Sequence, residues 1–212
     1  DLPTTIEEAR DLLGWNVSEL EKLPQPPQVE TPSIKLLTLG GLSLENSEFS
    51  QQRPLFLLAY LSVEGRQTRR RVADLLWPTS KNALNNLSRL LKDLRNAALE
   101  ASFWSDKDFI ESRLATDVTD FQAAFRSKNY SKAVDLYQGT FLENVTISSN
   151  AELEEWLYKT REVLARQVQE ALLNVAEAEA QKGAFFVAAR QAEKAFGLLA
   201  DSEPETLRRI YT

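Results

Sequence analysis

The 212-residue chain contains no cysteine, no histidine and no methionine. Without cysteine there can be no disulfide framework, no thiolate metal site and no thiol nucleophile, and nothing points to an oxidising compartment. Without histidine, the commonest general base and zinc ligand is missing. The acidic groups Asp117 with Asp120, and Glu152 with Glu154 and Glu155, read as solvated helix faces. No base, nucleophile or phosphate loop accompanies them, so the chain is not expected to be an enzyme or to need a metal or cofactor. No apolar run reaches the ~18–20 residues of a membrane span, and no secretion signal opens the sequence. The expectation is a soluble, cytoplasmic protein with no membrane partner. A chain that starts at Asp1 and lacks methionine is expected to be a fragment of a longer one.

Charge is present but unevenly spread. The formal net charge is −6, yet residues 33–113 hold 12 Lys/Arg against 9 Asp/Glu. Residues 1–32 hold 2 against 7, and residues 114–212 hold 11 against 15. Within Arg66–Arg95 there are 8 basic residues and 2 acidic ones. A cationic stretch between acidic flanks is the footprint of a surface that meets a polyanion.

At the centre of that stretch lies Lys81–Ala98, KNALNNLSRLLKDLRNAA. Leu84, Leu87, Leu91, Leu94 and Ala98 recur at helical spacing and predict one apolar stripe. The remaining faces carry Asn82, Asn85, Asn86, Ser88, Arg89, Lys92 and Arg95. Asparagine is a poor helix former, and a face that only had to be wet would carry Glu and Lys. Asn and Arg are the side chains that pair two-pronged with adenine and guanine edges in a major groove. Helix 81–98 therefore reads as a DNA recognition helix, with an ordinary amphipathic surface helix as the bland alternative. Asn82, Asn85, Asn86 and Arg89 are the candidate base readers, and Lys92 and Arg95 the candidate phosphate contacts.

Around this helix the chain divides into three. Residues 1–32 begin with a short amphipathic helix (Thr5 as cap, Ile6, Ala9, Leu12 and Leu13 apolar) and end in the proline cluster 24–32, a linker. The helical piece could dock on a domain, pair with a partner or belong to a preceding domain. In residues 33–113, segments 34–39 and 42–44 are strand-like around Gly40-Gly41, which reads as a turn rather than a phosphate loop. Helices follow over 51–63, stopped by Gly65, and from Thr68 over TRRRVADLLW, with Val72, Leu75 and Leu76 inward. That helix and helix 81–98, joined by Pro78-Thr79-Ser80, form a helix-turn-helix. Arg69, Arg70 and Arg71 open its first helix as a candidate phosphate clamp, weighed against a merely solvated basic patch. Phe103-Trp104 and Phe109-Ile110 flank a polar turn and predict a hairpin, the wing of a winged helix. Lys107 sits at its tip between two aspartates. The tryptophans Trp77, Trp104 and Trp156 read as packing residues.

Residues 114–212 read as almost wholly helical: a short helix with Val118, Phe121, Ala124 and Phe125 inward, then another over 130–137. A long helix carrying Leu153, Leu157, Leu164, Val168, Leu172 and Val175 follows. A return helix carries Phe186, Ala189, Ala192, Ala195, Phe196 and Leu199. Such pairs resemble tetratricopeptide-type hairpins. Ser202–Tyr211 reads as the start of a further helix that the natural protein would complete. The predicted fold class is mainly α with a small β component: a winged helix-turn-helix followed by an all-α, tetratricopeptide-like domain.

In order and spacing, LLTLGGLSLE (36–45), GRQTRRRVADLLWP (65–78) and NALNNLSRLLKDLR (82–95) resemble the DNA-binding half of the Streptomyces antibiotic regulatory proteins. TDVTDFQAA (116–124), KAVDLYQGTFLEN (132–144), EEWLYKTRE (154–162) and AEKAFGLLADSEPETLRR (192–209) resemble their bacterial transcriptional activator domain. The resemblance implies an OmpR-like winged helix with a four-stranded N-terminal sheet, three helices and a C-terminal wing. It also implies binding to direct repeats of double-stranded DNA as a homodimer, and activation through RNA polymerase. Segment 51–61 is less basic than the family's pattern, and Asp93 sits among the recognition-helix cations. The alternative is a protein-interaction module whose winged helix no longer binds DNA.

Overall fold

A computed structural model describes residues 34–145 and 150–198. Leu36, Leu39 and Leu44 are fully or nearly buried, and they seat the first elements against the core. Strand β1 (Lys35–Leu37) pairs antiparallel with β2 (Ser43–Leu44). Gly40, at φ 94°, supplies the left-handed residue that the intervening turn needs. The other neighbour of β1 is β6 (Ala115–Thr116), in parallel, which closes a three-stranded sheet of order β2-β1-β6. Family resemblance implied four strands there; among the described residues there are three, and one comes from 80 positions downstream of Lys35.

Helix α1 (Gln52–Glu64) is buried from Pro54 to Leu61 and stops at Gly65, φ 72°. Two residues later β3 (Gln67–Thr68) runs into α2 (Arg69–Leu76), whose cap is Thr68, with Oγ1 accepting from the Arg71 N–H at 3.2 Å. Helix α3 (Ala83–Asn96) follows, then a short 3-10 turn at Glu100–Ser102 and the hairpin β4 (Phe103–Ser105) and β5 (Phe109–Ser112). Strand β5 pairs with both β4 and β3, giving a second three-stranded sheet of order β3-β5-β4. The expected 81–98 helix is shorter at both ends. Lys81-Asn82 stays in the turn, and Ala98 takes φ 58°, which ends the helical path.

Four helices complete the described chain: α4 (Asp117–Arg126), α5 (Tyr130–Leu136), α6 (Ala151–Gln181) and α7 (Phe185–Gly197). Among the described residues the molecule is mainly helical with two small sheets. Helices α6 and α7 are antiparallel neighbours around Gly183, φ 79°.

Asp117 overturns the reading of the acidic groups as solvated. It is 6% exposed, and its carboxylate accepts from Thr38 N–H (2.8 Å), Thr38 Oγ1 (2.6 Å), Leu39 N–H (2.9 Å) and Val118 N–H (2.8 Å). The Thr38 and Leu39 amides, beyond the end of β1, have no ladder partner, and a buried N–H must be satisfied. Asp120 receives Lys35 Nζ at 2.6 Å.

All described residues belong to one compact unit. Its hydrophobic core is continuous from Leu36 through α1–α3 to α6 and α7. The expected boundary at 113/114 is crossed by the β1–β6 pairing and by the first turns of α6. Trp156 Nε1 donates to Glu64 Oε1 at 2.7 Å, and its ring meets Phe56, Tyr60 and Phe141 at 5.0–6.0 Å between centroids. Asn150 Nδ2 donates to the Leu75 carbonyl at 2.6 Å. On the C-terminal side of that boundary, Arg161 donates to the Phe141 and Leu142 carbonyls, and burial lowers its pKa.

Two expected helix faces are rotated. On α3 the buried set is Ala83, Leu87, Leu90, Leu91 and Leu94, while Leu84 and Ala98 face out. A leucine-rich helix offers two stripes at three-and-four spacing, and packing against α1 and α2 selects the one through Leu90. On α7, Ala188 and Ala195 are the buried residues, whereas Phe186 is 84% exposed and Ala189 also faces solvent. Close approach to α6 admits methyl groups and excludes rings. Leu199, Thr5–Leu13 and Ser202–Tyr211 lie outside the described residues.

Candidate nucleic-acid interface

The buried stripe of α3 fixes what its other side presents. Leu87, Leu90, Leu91 and Leu94 turn inward, so the 100° step per residue puts Asn85, Arg89 and Lys92 on the opposite side, where all three are exposed. No hydrogen bond or ion pair to another described residue engages these three side chains. Asn82 is exposed just ahead of the helix and makes no side-chain cap bond. Asn86 turns aside: it is half-buried, with Nδ2 3.3 Å from Ser80 Oγ, and lines a cleft with Gln51, Arg53, Trp77 and Arg89. Arg95 occupies the last turn, its guanidinium 5.4 Å from the centroid of Phe103.

The three consecutive arginines of α2 go to three different places, as successive helical residues must. Arg69 bridges elements: Nη1 donates to Ser105 Oγ at 2.8 Å and Nη2 to Ser88 Oγ at 3.0 Å, tying α2 to the hairpin and to α3. Arg70 stays on its own helix with Asp74, at 2.9 Å. Arg71 faces the seam, where Nη1 and Nη2 both donate to the Glu152 carboxylate, which raises the pKa of Arg71. Tyr60 stands beside this pair, its phenol pushed up by burial and by the Glu64 carboxylate. Arg69 therefore bonds directly to α3, Arg70 lines the groove at the start of α3, and Arg71 is committed to the seam.

Lys107 is exposed at the hairpin tip, between Asp106 and Asp108. Asp106 organises that tip by accepting from the N–H groups of Phe109 (2.7 Å) and Asp108 (2.8 Å), which hold its carboxyl below the usual value. Arg66 was missed by the sequence reading. Its guanidinium lies 4.8 Å from the Trp104 ring centroid and 4.3 Å from that of Phe109, and 3.9 Å from Asp106. Trp104 thus packs against a cation rather than in the core. In the sequence, only the apolar pairs Phe103-Trp104 and Phe109-Ile110 flanking a polar turn signal this cluster.

Helices α1, α2 and α3 carry no acidic residue in their first turns, as is also true of α5 and α7, whereas α4 opens with Asp117 and Asp120 and α6 with Glu152 and Glu154. The positive ends of the first three helix dipoles are left uncompensated by their own sequence. Among the described residues, no group of three or more potential ligands could hold a metal ion, and no helix is long and apolar enough to cross a membrane. No protein-family model matches the sequence, and no curated protein matches it.

Proposed function

We propose that the protein is a sequence-specific DNA-binding transcriptional regulator. Helix α3 enters the major groove as the recognition helix of a winged helix-turn-helix. The observation that carries the reading is the outward row Asn85, Arg89 and Lys92. These are two base-reading side-chain types and a cation, exposed and engaged by no described residue. Element order adds support: helix, short strand, helix, helix and hairpin, with β3 completing the hairpin's sheet, is the order of a winged helix. In this reading Arg69, Arg70, Lys92 and Arg95 hold phosphates, and Lys107 marks the wing. Arg71 stabilises the seam instead. Helices α4–α7 form the tetratricopeptide-like part, which serves dimerisation or partner contact. Direct-repeat operators and RNA polymerase are what the resemblance to the antibiotic regulators adds.

A titration with duplexes enriched from a random pool tests this. Arg89→Ala is expected to cost about 1–3 kcal/mol and to relax preference at one base position. Lys92→Ala is expected to weaken binding to every duplex and to flatten the salt slope by about 0.9. Unchanged affinity in both variants would remove this face from the proposal. A second reading, an interaction module without DNA binding, is favoured by Phe185 and Phe186, 71% and 84% exposed on α7. Such a module shows no affinity for mixed duplex DNA at low salt.

A further inference from the structure

Leu84 stands apart on α3. Every other leucine of that helix is buried, while Leu84 is 39% exposed, in the first turn and next to Asn85. The surface around it is polar, a groove lined by Arg70, Asp74, Ser80, Lys81, Asn82 and Asn85. Its backbone is held firmly: the Leu84 carbonyl accepts from Ser88 Oγ at 2.9 Å, and Ser88 Oγ accepts from Arg69 at 3.0 Å. An apolar side chain is thus kept at a defined height among hydrogen-bonding ones, at the end of the helix that carries the asparagines.

The major-groove edge of a base pair carries donors, acceptors and one apolar group, the C5-methyl of thymine. Asparagine and arginine read the first two kinds and cannot register the third. We infer that Leu84 reads a thymine methyl, which makes it a specificity-determining residue beside Asn85 and Arg89. This inference rests on the DNA-binding reading above. It adds that the preferred site contains a thymine whose methyl, not its O4, is recognised, and that 5-methylcytosine substitutes for that thymine better than cytosine does.

The test uses the full chain and the duplex it enriches most from a random pool, with each thymine replaced singly by deoxyuridine. That exchange removes one methyl and leaves every hydrogen bond in place. One replacement is expected to weaken binding about fourfold, the worth of one buried methyl. Leu84→Ala is expected to bind the thymine and deoxyuridine duplexes equally, and Leu84→Met to keep the difference. At the sensitive position cytosine binds less tightly, and 5-methylcytosine restores part of the loss, a result that needs no variant protein. An enriched duplex that tolerates every deoxyuridine overturns the inference and leaves DNA binding standing. A fourfold loss that persists unchanged in Leu84→Ala does the same. A pool that yields no enriched duplex overturns both.

Discussion

The two small sheets have three strands each and are held by opposite means. In the first, Leu36 at the centre of β1 is buried, and a buried carboxylate, Asp117, satisfies the amides at the end of that strand. In the second, the hairpin tip is exposed and the fastenings are guanidinium groups at the surface, Arg69 to Ser105 and Ser88, and Arg66 over Trp104 and Phe109. The first sheet is a joint between remote parts of one core. The second is a platform beside α3 that keeps its polar side towards solvent. The lesson is that sheet size says little about role, while the polarity and burial of the fastening residue say a good deal.

Asp117→Ala breaks that contrast most severely. It leaves three backbone N–H groups and the Thr38 hydroxyl without that acceptor in the core. Urea unfolding is expected to show a loss of about 3–5 kcal/mol. Arg69→Ala acts on the exposed sheet and removes bonds that solvent can replace, so the expected loss is about 1 kcal/mol. Amide exchange over residues 103–112 should accelerate in that variant while residues 35–44 keep their protection. A loss of equal size in the two variants would erase the distinction between the sheets.

The finest probe is pH. Asp106 is held below its ordinary value of 3.8 by the Phe109 and Asp108 amides, so its support of the hairpin tip is whole above that value. Support fades as the pH falls through the lower folded-state value, where the carboxyl takes up its proton and the tip amides lose their acceptor. Hairpin amides are expected to lose protection there in the native protein and to show no such step in Asp106→Ala.

Much of this was legible locally. Thr68 as a cap, Gly65 as a stop and the polar turn between Phe103-Trp104 and Phe109-Ile110 are signals spanning a few residues, and the structure uses them as read. What was not legible depends on remote partners. Strands β3 and β6 have two residues each, too short for any periodicity, and exist because Phe109-Ile110 and Lys35-Leu36 lie beside them. Asp117 looks like any first-turn acid until Thr38, 79 positions earlier, is placed against it. Arg69, Arg70 and Arg71 are indistinguishable in sequence, and only the angular step along α2, with Glu152 81 positions away, separates their roles. The leucines of α3 admitted two inward faces, and packing left Leu84 exposed.

Gly139 sits where the loop after α5 meets the turn between β1 and β2. A Cβ there would lie 2.8 Å from the Gly40 Cα. Backbone therefore rests on backbone, and the gap is set by the thickness of the peptide alone. One methyl at position 139 would act as a shim. Its displacement would pass through the Leu39–Phe141 bridge to the ring of Phe141, and from there to Trp156, which that ring touches. The tolerance of a contact between two glycines 99 positions apart in the chain is set by an atom that is not there.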